Sequence, residues 1–345
     1  MSANTRLAFV GSGGMASAHL KAIAPIAEVD IVAFCDPAAD KTEARIAELR
    51  SLRPDADPGR FTDVDEMLAT TDPDAVYLLL PPFAHGRAER ACLELGIPFF
   101  VEKPISKDLG FSREVAAEVE RLGLITSAGY MNRYRAGIQA ARGILESDPA
   151  VLAYGGWIGG SPNPKPGDTS IGSWWVQMDK SGGQIVEQCT HTFDVLRYLC
   201  GEAVEVFAYG ARGFNVGLYN YSIDDASTVT LKMASGAVAN LMSSCAANGG
   251  GGGVTLNVYA HDTTFLFTGW EHSVKILRHG HDPEEIAGEP DIFQVEDQAF
   301  IDAVRSGDGS VIRSTYPDAT RTLELTLAAN ESIRTGAPVA VGPAA

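Results

Sequence analysis

No run of ~18 apolar residues occurs in the 345-residue chain, so a helical membrane span is not expected. Basic residues are scarce: 27 Lys and Arg stand against 44 Asp and Glu, for a formal charge of −17. Such a surface repels phosphate backbones and anionic lipid, which argues against nucleic-acid and membrane partners. Cysteine is sparse, and Cys35, Cys92, Cys189, Cys200 and Cys245 contain no C-x-x-C pair. An odd number of unclustered cysteines offers neither a disulfide framework nor a zinc knuckle, and it fits a reducing cytoplasm. The opening "MSANTRLAFVGSGG" lacks a long apolar core and a twin arginine, so no signal peptide is expected. No internal repeat is found. What remains is an ordinary globular balance, 45% hydrophobic and 21% charged. The length suits about two domains of ~100–200 residues each.

Through about residue 125 the pattern alternates strand and helix. Buried apolar strands are expected at 6–11, 29–36, 75–80, 98–102 and 124–129, and helices at 13–26, 41–52, 85–95 and 108–122. Continuous apolar strands separated by helices imply a parallel sheet covered on both faces, and right-handed crossovers make it doubly wound. After about residue 150 the rhythm changes. A strand opens at "VLAYGGWIGG", a Pro/Gly-rich loop follows at 161–173, and the helix "GGQIVEQCTHTFDVLRYLCGE" comes next. Strands separated only by turns are expected at 203–212, 226–233, 237–245, 253–260, 263–268 and 273–278, as in a mostly antiparallel sheet. The stretch "NGGGGG" (248–253) has almost no side chains to pack and reads as a mobile hairpin connection, with a lid or substrate-edge loop as the other reading. Helices at 293–306 and 317–335 follow, the second with Pro317 in its first turn, and 337–345 reads as a loose tail. The expected class is α/β: a doubly wound parallel sheet, then an α+β domain with an open, mostly antiparallel sheet.

The first strand runs into "VGSGGMA". Gly11, Gly13 and Ala16 match the dinucleotide fingerprint G-x-G-x-x-G/A. The first glycine makes the tight turn, the second lets backbone approach a pyrophosphate, and the third small residue lets helix pack on strand. Free N–H groups and the positive dipole end of the helix then hold the phosphates. Gly14 and Met15 lie in the same turn and are candidate cofactor contacts. Asp36 ends the second strand 20 residues after Ala16, where an acid binds the ribose 2′-hydroxyl. Its carboxylate would repel a 2′-phosphate, which favours NAD, while Lys41 keeps NADP open. Pro81, after the third strand, and His85, opening the helix beyond it, are candidate contacts at the cofactor edge. His19 on the first helix reads as structural.

Ligands bind outside the carboxyl ends of the strands in an open parallel sheet. "VEKPIS" therefore places Glu102 and Lys103 where a nicotinamide should lie, and a lysine there could donate to an alcohol or ketone oxygen. In the helix containing "EQCTHTFD", Glu187, His191 and Asp194 fall at i, i+4 and i+7, so a continuous helix presents all three on one stripe. A lone histidine on an apolar helix is usually a satisfied core residue; two flanking acids make a functional one more plausible. Imidazole and carboxylates also suit several divalent ions, but no further ligand cluster accompanies them and no metal is expected.

The order G-x-G-x-x-A, Asp36, "EKP", "GY-x-x-R" (129–133) and "GG…E-x-x-x-H-x-x-D" resembles the glucose–fructose oxidoreductase/inositol dehydrogenase (Gfo/Idh/MocA) family over roughly residues 6–335. The resemblance implies an NAD(P)-binding Rossmann domain (1–125) and a substrate and oligomerisation domain (126–345). It makes Lys103 the lysine near nicotinamide and substrate, and His191 the catalytic histidine. Glu187 falls where many members have aspartate; it is one methylene longer and can still orient an imidazole. Asp194, Arg133 and Trp174, with its neighbour Trp175, fall in segments that border the substrate site. The implied reaction moves hydride between the cofactor and a secondary hydroxyl or ketone of a sugar or cyclitol. His191 takes the hydroxyl proton, and Lys103 stabilises the charge developing on oxygen. Two other readings are a dinucleotide-binding sensor without turnover and a glycoside-cleaving enzyme that recycles NAD. A broad second-domain sheet face needs covering, so a homodimer or homotetramer is expected.

Overall fold

A computed structural model describes residues 4–342. The chain divides by its contacts into two units, Met1–Met131 with Asp291–Thr320 and Asn132–Pro290 with Arg321–Ala345. The division thus follows a different line from the expected one at 125/126: a segment distant in sequence returns to the first unit.

The first unit holds a six-stranded parallel sheet. Its strands are β1 (Thr5–Val10), β2 (Val29–Cys35), β3 (Gly59–Phe61), β4 (Ala75–Leu78), β5 (Phe99–Val101) and β6 (Thr126–Ala128). They lie in the order β3-β2-β1-β4-β5-β6, with the topological switch between β1 and β4. Helices α1 (Gly14–Ile23), α2 (Ala39–Leu52), α3 (Val64–Thr71), α4 (Arg87–Leu95) and α5 (Leu109–Leu122) connect them. Leu7, Phe9, Tyr77 and Phe100 are fully buried, as befits strands covered on both faces. Register pairs Phe9 with Tyr77 and Tyr77 with Phe100. The three rings stack in a ladder at 5.1 and 4.9 Å. Phe300, on the returning helix α11 (Ile292–Ser306), meets Tyr77 edge-on at 5.4 Å.

Both β3 and α3 were absent from the sequence reading. The strand has only three residues, at the sheet edge, too few to show a period. The helix is short, and its signal is confined to its start: Asp63, whose side chain accepts the Glu66 N–H at 2.9 Å, and the first-turn acids Asp65 and Glu66.

The second unit holds a nine-stranded sheet. Its strands are β7 (Leu152–Ile158), β8 (Ala203–Ala211), β9 (Ala226–Met233), β10 (Val238–Ser244), β11 (Gly253–Tyr259), β12 (Thr263–Thr268), β13 (Ser273–Arg278), β14 (Glu284–Ile286) and β15 (Val339–Ala340). The order is β14-β13-β12-β11-β7-β10-β9-β8-β15, and β7 with β10 is the parallel pair among antiparallel neighbours. Alternation of buried and exposed residues along β9 and β11 gives the sheet one covered face. That face packs Leu231, Leu241, Leu256 and Phe265 against Ile138 of α6 (Ala136–Leu145), Phe193 and Leu196. The helix α12 (Tyr316–Thr335) adds Leu325, Ala328 and Ala329.

Two expectations need correction here. Residues 339–340 are not loose tail: Val339 pairs with Val206 and Ala340 with Glu205, adding an edge strand to β8. The tail beyond 342 lies outside the described residues. The helix expected through "GGQIVEQCTHTFDVLRYLCGE" is interrupted. Short helices α7 (Ile171–Trp175), α8 (Met178–Ser181) and α9 (Gly183–Glu187) precede α10 (Thr190–Cys200). At the break, the Cys189 N–H donates to the Gln184 carbonyl five residues back, at 2.8 Å. A wide turn shifts the helical phase, since each residue advances about 100°. Glu187 therefore does not share one regular helical stripe with His191 and Asp194.

Candidate functional site

The switch point of the first unit carries a cradle. Gly11 has φ +92°, and a Cβ there would lie 2.3 Å from the Leu79 carbonyl oxygen, so only glycine turns the chain so close to the end of β4. Gly13 begins α1 and has no side-chain cap, and no acid occupies the first turn. This contrasts with α3 and α5, which are capped by Asp63 and Asp108. A Cβ on Gly13 or Gly14 would meet nothing within 4 Å, and both residues are exposed, with Met15 half-buried beside them. Uncapped N–H groups next to open space suit an anionic group such as a pyrophosphate. The Asp36 carboxylate closes the cradle, accepting from the Ser12 and Ala38 N–H groups at 2.9 Å each. These residues fit a dinucleotide.

Glu102 and Lys103 follow β5, where the Glu102 N–H donates to the Leu78 carbonyl at 2.9 Å. Glu102 Oε2 accepts the Lys103 N–H at 3.0 Å. Gly129 must stay bare, because a Cβ would lie 2.7 Å from Glu102 Oε1. That oxygen also meets His19 Nε2 at 3.1 Å, while His19 Nδ1 meets Asp297 Oδ1 at 2.8 Å. Burial opposes charge on this imidazole, but the carboxylates of Asp297 and Glu102 outweigh it and push its pKa up to about 10. His19 is structural, as expected, and its role is to hold Glu102. Pro81 is half-buried after β4. The His85 side chain is fully buried against Glu89, whose other oxygen accepts the Gly86 N–H at 2.8 Å. His85 thus anchors the start of α4. Burial works against the Glu89 charge, yet His85 and the backbone donors hold its carboxyl below the usual range.

In the second unit, His191 sits in the first turn of α10 and is 4% exposed. Trp157, at the end of β7, lies nearly parallel to the imidazole at 6.2 Å, and Trp270 meets it at 89° and 5.4 Å. The two indoles contact each other at 5.2 Å. The sequence reading missed both, since single tryptophans 113 residues apart carry no periodic signal. The Glu187 carboxylate accepts the Trp175 Nε1–H at 2.5 Å. Trp174 borders a small apolar cluster of Trp175, Val176, Ile223 and Cys245.

The structure pairs Arg133 with Asp194. Arg133 donates from Nε to Oδ2 at 2.8 Å and from Nη2 to Oδ1 at 2.6 Å. Thr322 Oγ1 adds a third bond to Oδ1 at 3.0 Å and accepts from Arg197 Nη1 at 2.6 Å. Such a bidentate, buried fork fixes α10 strongly at Asp194. Among the described residues, no group of three or more His, Cys, Asp or Glu side chains is disposed to hold a metal ion. No described helix is long and apolar enough to cross a membrane.

Comparison with known proteins agrees with this geometry. The oxidoreductase model described as an NAD-binding Rossmann fold matches residues 5–130, and the Gfo/Idh/MocA C-terminal domain model matches residues 159–271. The chain is 27% identical to scyllo-inositol 2-dehydrogenase (NAD(+)) of Bacillus subtilis, with 98% of this chain and 97% of that protein aligned. It is 24% identical to myo-inositol 2-dehydrogenase of Thermotoga maritima over 68% of this chain and 66% of that protein. Levoglucosan dehydrogenase in complex with NADH and levoglucosan has the same fold, with a TM-score of 0.84 at 16% identity, covering 99% of this chain and 100% of that one. A glycine cradle at the β1–β4 switch, the nine-stranded sheet of the second unit and both domain matches make this chain a member of the Gfo/Idh/MocA oxidoreductase family, carrying an NAD-binding Rossmann fold.

Proposed function

We propose that the protein oxidises a secondary hydroxyl of a sugar or cyclitol ring, or reduces the matching ketone, with NAD. One observation carries this reading: a buried imidazole, His191, framed by Trp157 and Trp270 on a helix clamped through Asp194 by Arg133. The cyclitol dehydrogenases among its relatives support it.

Gly11, Gly13, Gly14, Met15 and Asp36 would hold the dinucleotide, with Pro81 and Glu102 toward its nicotinamide end and His85 bracing α4. When bound, it accepts or returns the hydride. His191 takes the hydroxyl proton, and the Lys103 ammonium donates to the substrate oxygen as negative charge develops there. Arg133 and Asp194 position the histidine, and Glu187, which accepts the Trp175 N–H, assists it.

A panel of myo-inositol, scyllo-inositol, levoglucosan and D-glucose with NAD and NADP in parallel tests the reading by reduced-nicotinamide absorbance. The expected result is turnover of at least one ring substrate, faster with NAD because Asp36 opposes a 2′-phosphate. Bound NAD with no turnover across the panel overturns it in favour of a sensor. Levoglucosan consumed under flat absorbance overturns it in favour of an NAD-recycling cleavage.

The protein assembles as a homodimer or homotetramer in this reading. Support comes from the uncovered face of the second sheet, where Tyr154, Tyr209, Val238 and Met242 are exposed. Light scattering should give two or four times 36.6 kDa; a monomer at micromolar concentration would sink the idea. Five free, buried cysteines support a cytoplasmic location.

A further inference from the structure

Trp270 is unusual for a large apolar residue. It sits at the tip of the β12–β13 hairpin, between Gly269 and His272, with 41% of its surface exposed. A tryptophan at a hairpin tip would ordinarily be mobile, but this one is pinned from behind. Its carbonyl accepts from His272 Nδ1 at 3.0 Å and from Arg135 Nη2 at 3.4 Å. Arg135 is itself held, donating to the Glu289 carbonyl at 2.6 Å and to Asn132 Oδ1 at 2.7 Å. Both anchors are almost completely buried. Burial keeps the His272 pKa down at about 4, so the ring is neutral near pH 7 and its Nδ1 carries the proton given to the carbonyl.

A half-exposed indole on an anchored backbone, packed against Trp157 and beside the buried imidazole of His191, is a preorganised contact surface. Cyclic polyols and pyranoses present a face of C–H bonds, with hydroxyls projecting around the rim. A flat indole covers such a face and leaves the rim hydroxyls free for polar partners. An open-chain polyol has no fixed C–H face and gains little from the same surface. We propose that Trp270 is the stacking platform for the substrate ring beside His191 and selects cyclic over open-chain polyols. Trp157 backs it at 5.2 Å, and Arg135 and His272 act as positioning residues through the Trp270 carbonyl. This inference rests on the function proposed above.

The test compares wild type with Trp270→Leu and Trp270→Phe, using myo-inositol and scyllo-inositol as ring probes and D-sorbitol as the open-chain probe. Leucine keeps apolar bulk without a flat face; phenylalanine restores the face. The expected result is a ~10-fold rise in KM for the ring probe in Trp270→Leu, with kcat within about threefold and most of the loss recovered by phenylalanine. NAD affinity, read by titration of protein fluorescence, should not change. Equal effects on inositol and sorbitol, or no effect on either, overturn the platform while leaving the dehydrogenase reading intact. If wild type turns over none of the probes, saturation-transfer NMR to the inositol C–H protons replaces KM. Signal in wild type that is lost with leucine and regained with phenylalanine supports the platform. Signal unchanged with leucine, or absent from wild type, overturns it.

Discussion

Replacing His191 with asparagine is expected to lower kcat by ~10²–10⁴-fold while NAD affinity stays near wild type. Asparagine keeps a polar group of similar width on α10 but cannot take up a proton at neutral pH. The effect should fall on the proton-transfer step, so kcat should drop more than KM rises. The surrounding packing makes the variant a fair probe. His191 is held by rings, Trp157 at 6.2 Å and Trp270 at 5.4 Å, and its helix is clamped independently where Asp194 meets Arg133. The melting temperature should therefore move little. Steady-state kinetics on the best ring substrate checks this, and a kcat within threefold of wild type would remove His191 from the chemistry.

The second large effect concerns stability. His19→Leu is expected to cost ~3–5 kcal/mol, because it leaves two buried carboxylates with no cation between them. The side chains of Asp297 and Glu102 are 0% and 5% exposed, and the imidazole between them is fully buried. The pH dependence has a definite sign. The folded-state pKa of His19, about 10, lies above the ordinary 6.5. The folded protein thus holds a proton that the unfolded chain releases. The contribution of His19 is complete below pH 6.5 and disappears as pH rises through about 10. Asp297, buried beside a second carboxylate, is also held above the usual carboxylate range, which gives a slope of the same sign. Urea unfolding of wild type between pH 6.5 and 10 should show stability falling by up to ~1.4 kcal/mol per pH unit from this group. His19→Leu should lose the imidazole's share of that slope and keep only that of the buried carboxylates. Parallel pH profiles for the two proteins would show that the imidazole is not charged in the fold.

Much of the architecture was legible because it is written locally. The strands at 226–233, 263–268 and 273–278 coincide with β9, β12 and β13. Each combines period-two alternation with flanking turns, and an odd shift in register would bury the polar side. The dinucleotide turn was legible for a similar reason. Gly11 is required by a backbone conformation and by a neighbouring strand end, so a short motif carries the whole geometry. The segment "EQCTHTFD" is helical on both sides of a break, so its spacing shows polar residues among apolar ones but not the phase that relates Glu187 to His191 and Asp194. The wide turn at Cys189, closed by its N–H on the Gln184 carbonyl, leaves no signature in residue spacing.

The longer strands and helices and the glycine cradle were thus determined by the sequence alone, because helical and strand periods and turn requirements act over a few residues. Pairings across long separations were decided only by the tertiary structure. Asp194 meets an arginine 61 positions away, and His19 meets an aspartate 278 positions away. Trp270 reaches His191 from a hairpin tip. A charge or an aromatic ring in a sequence states what it can bind. Which partner it finds is settled by the packing of whole elements, whose burial outweighs any local preference.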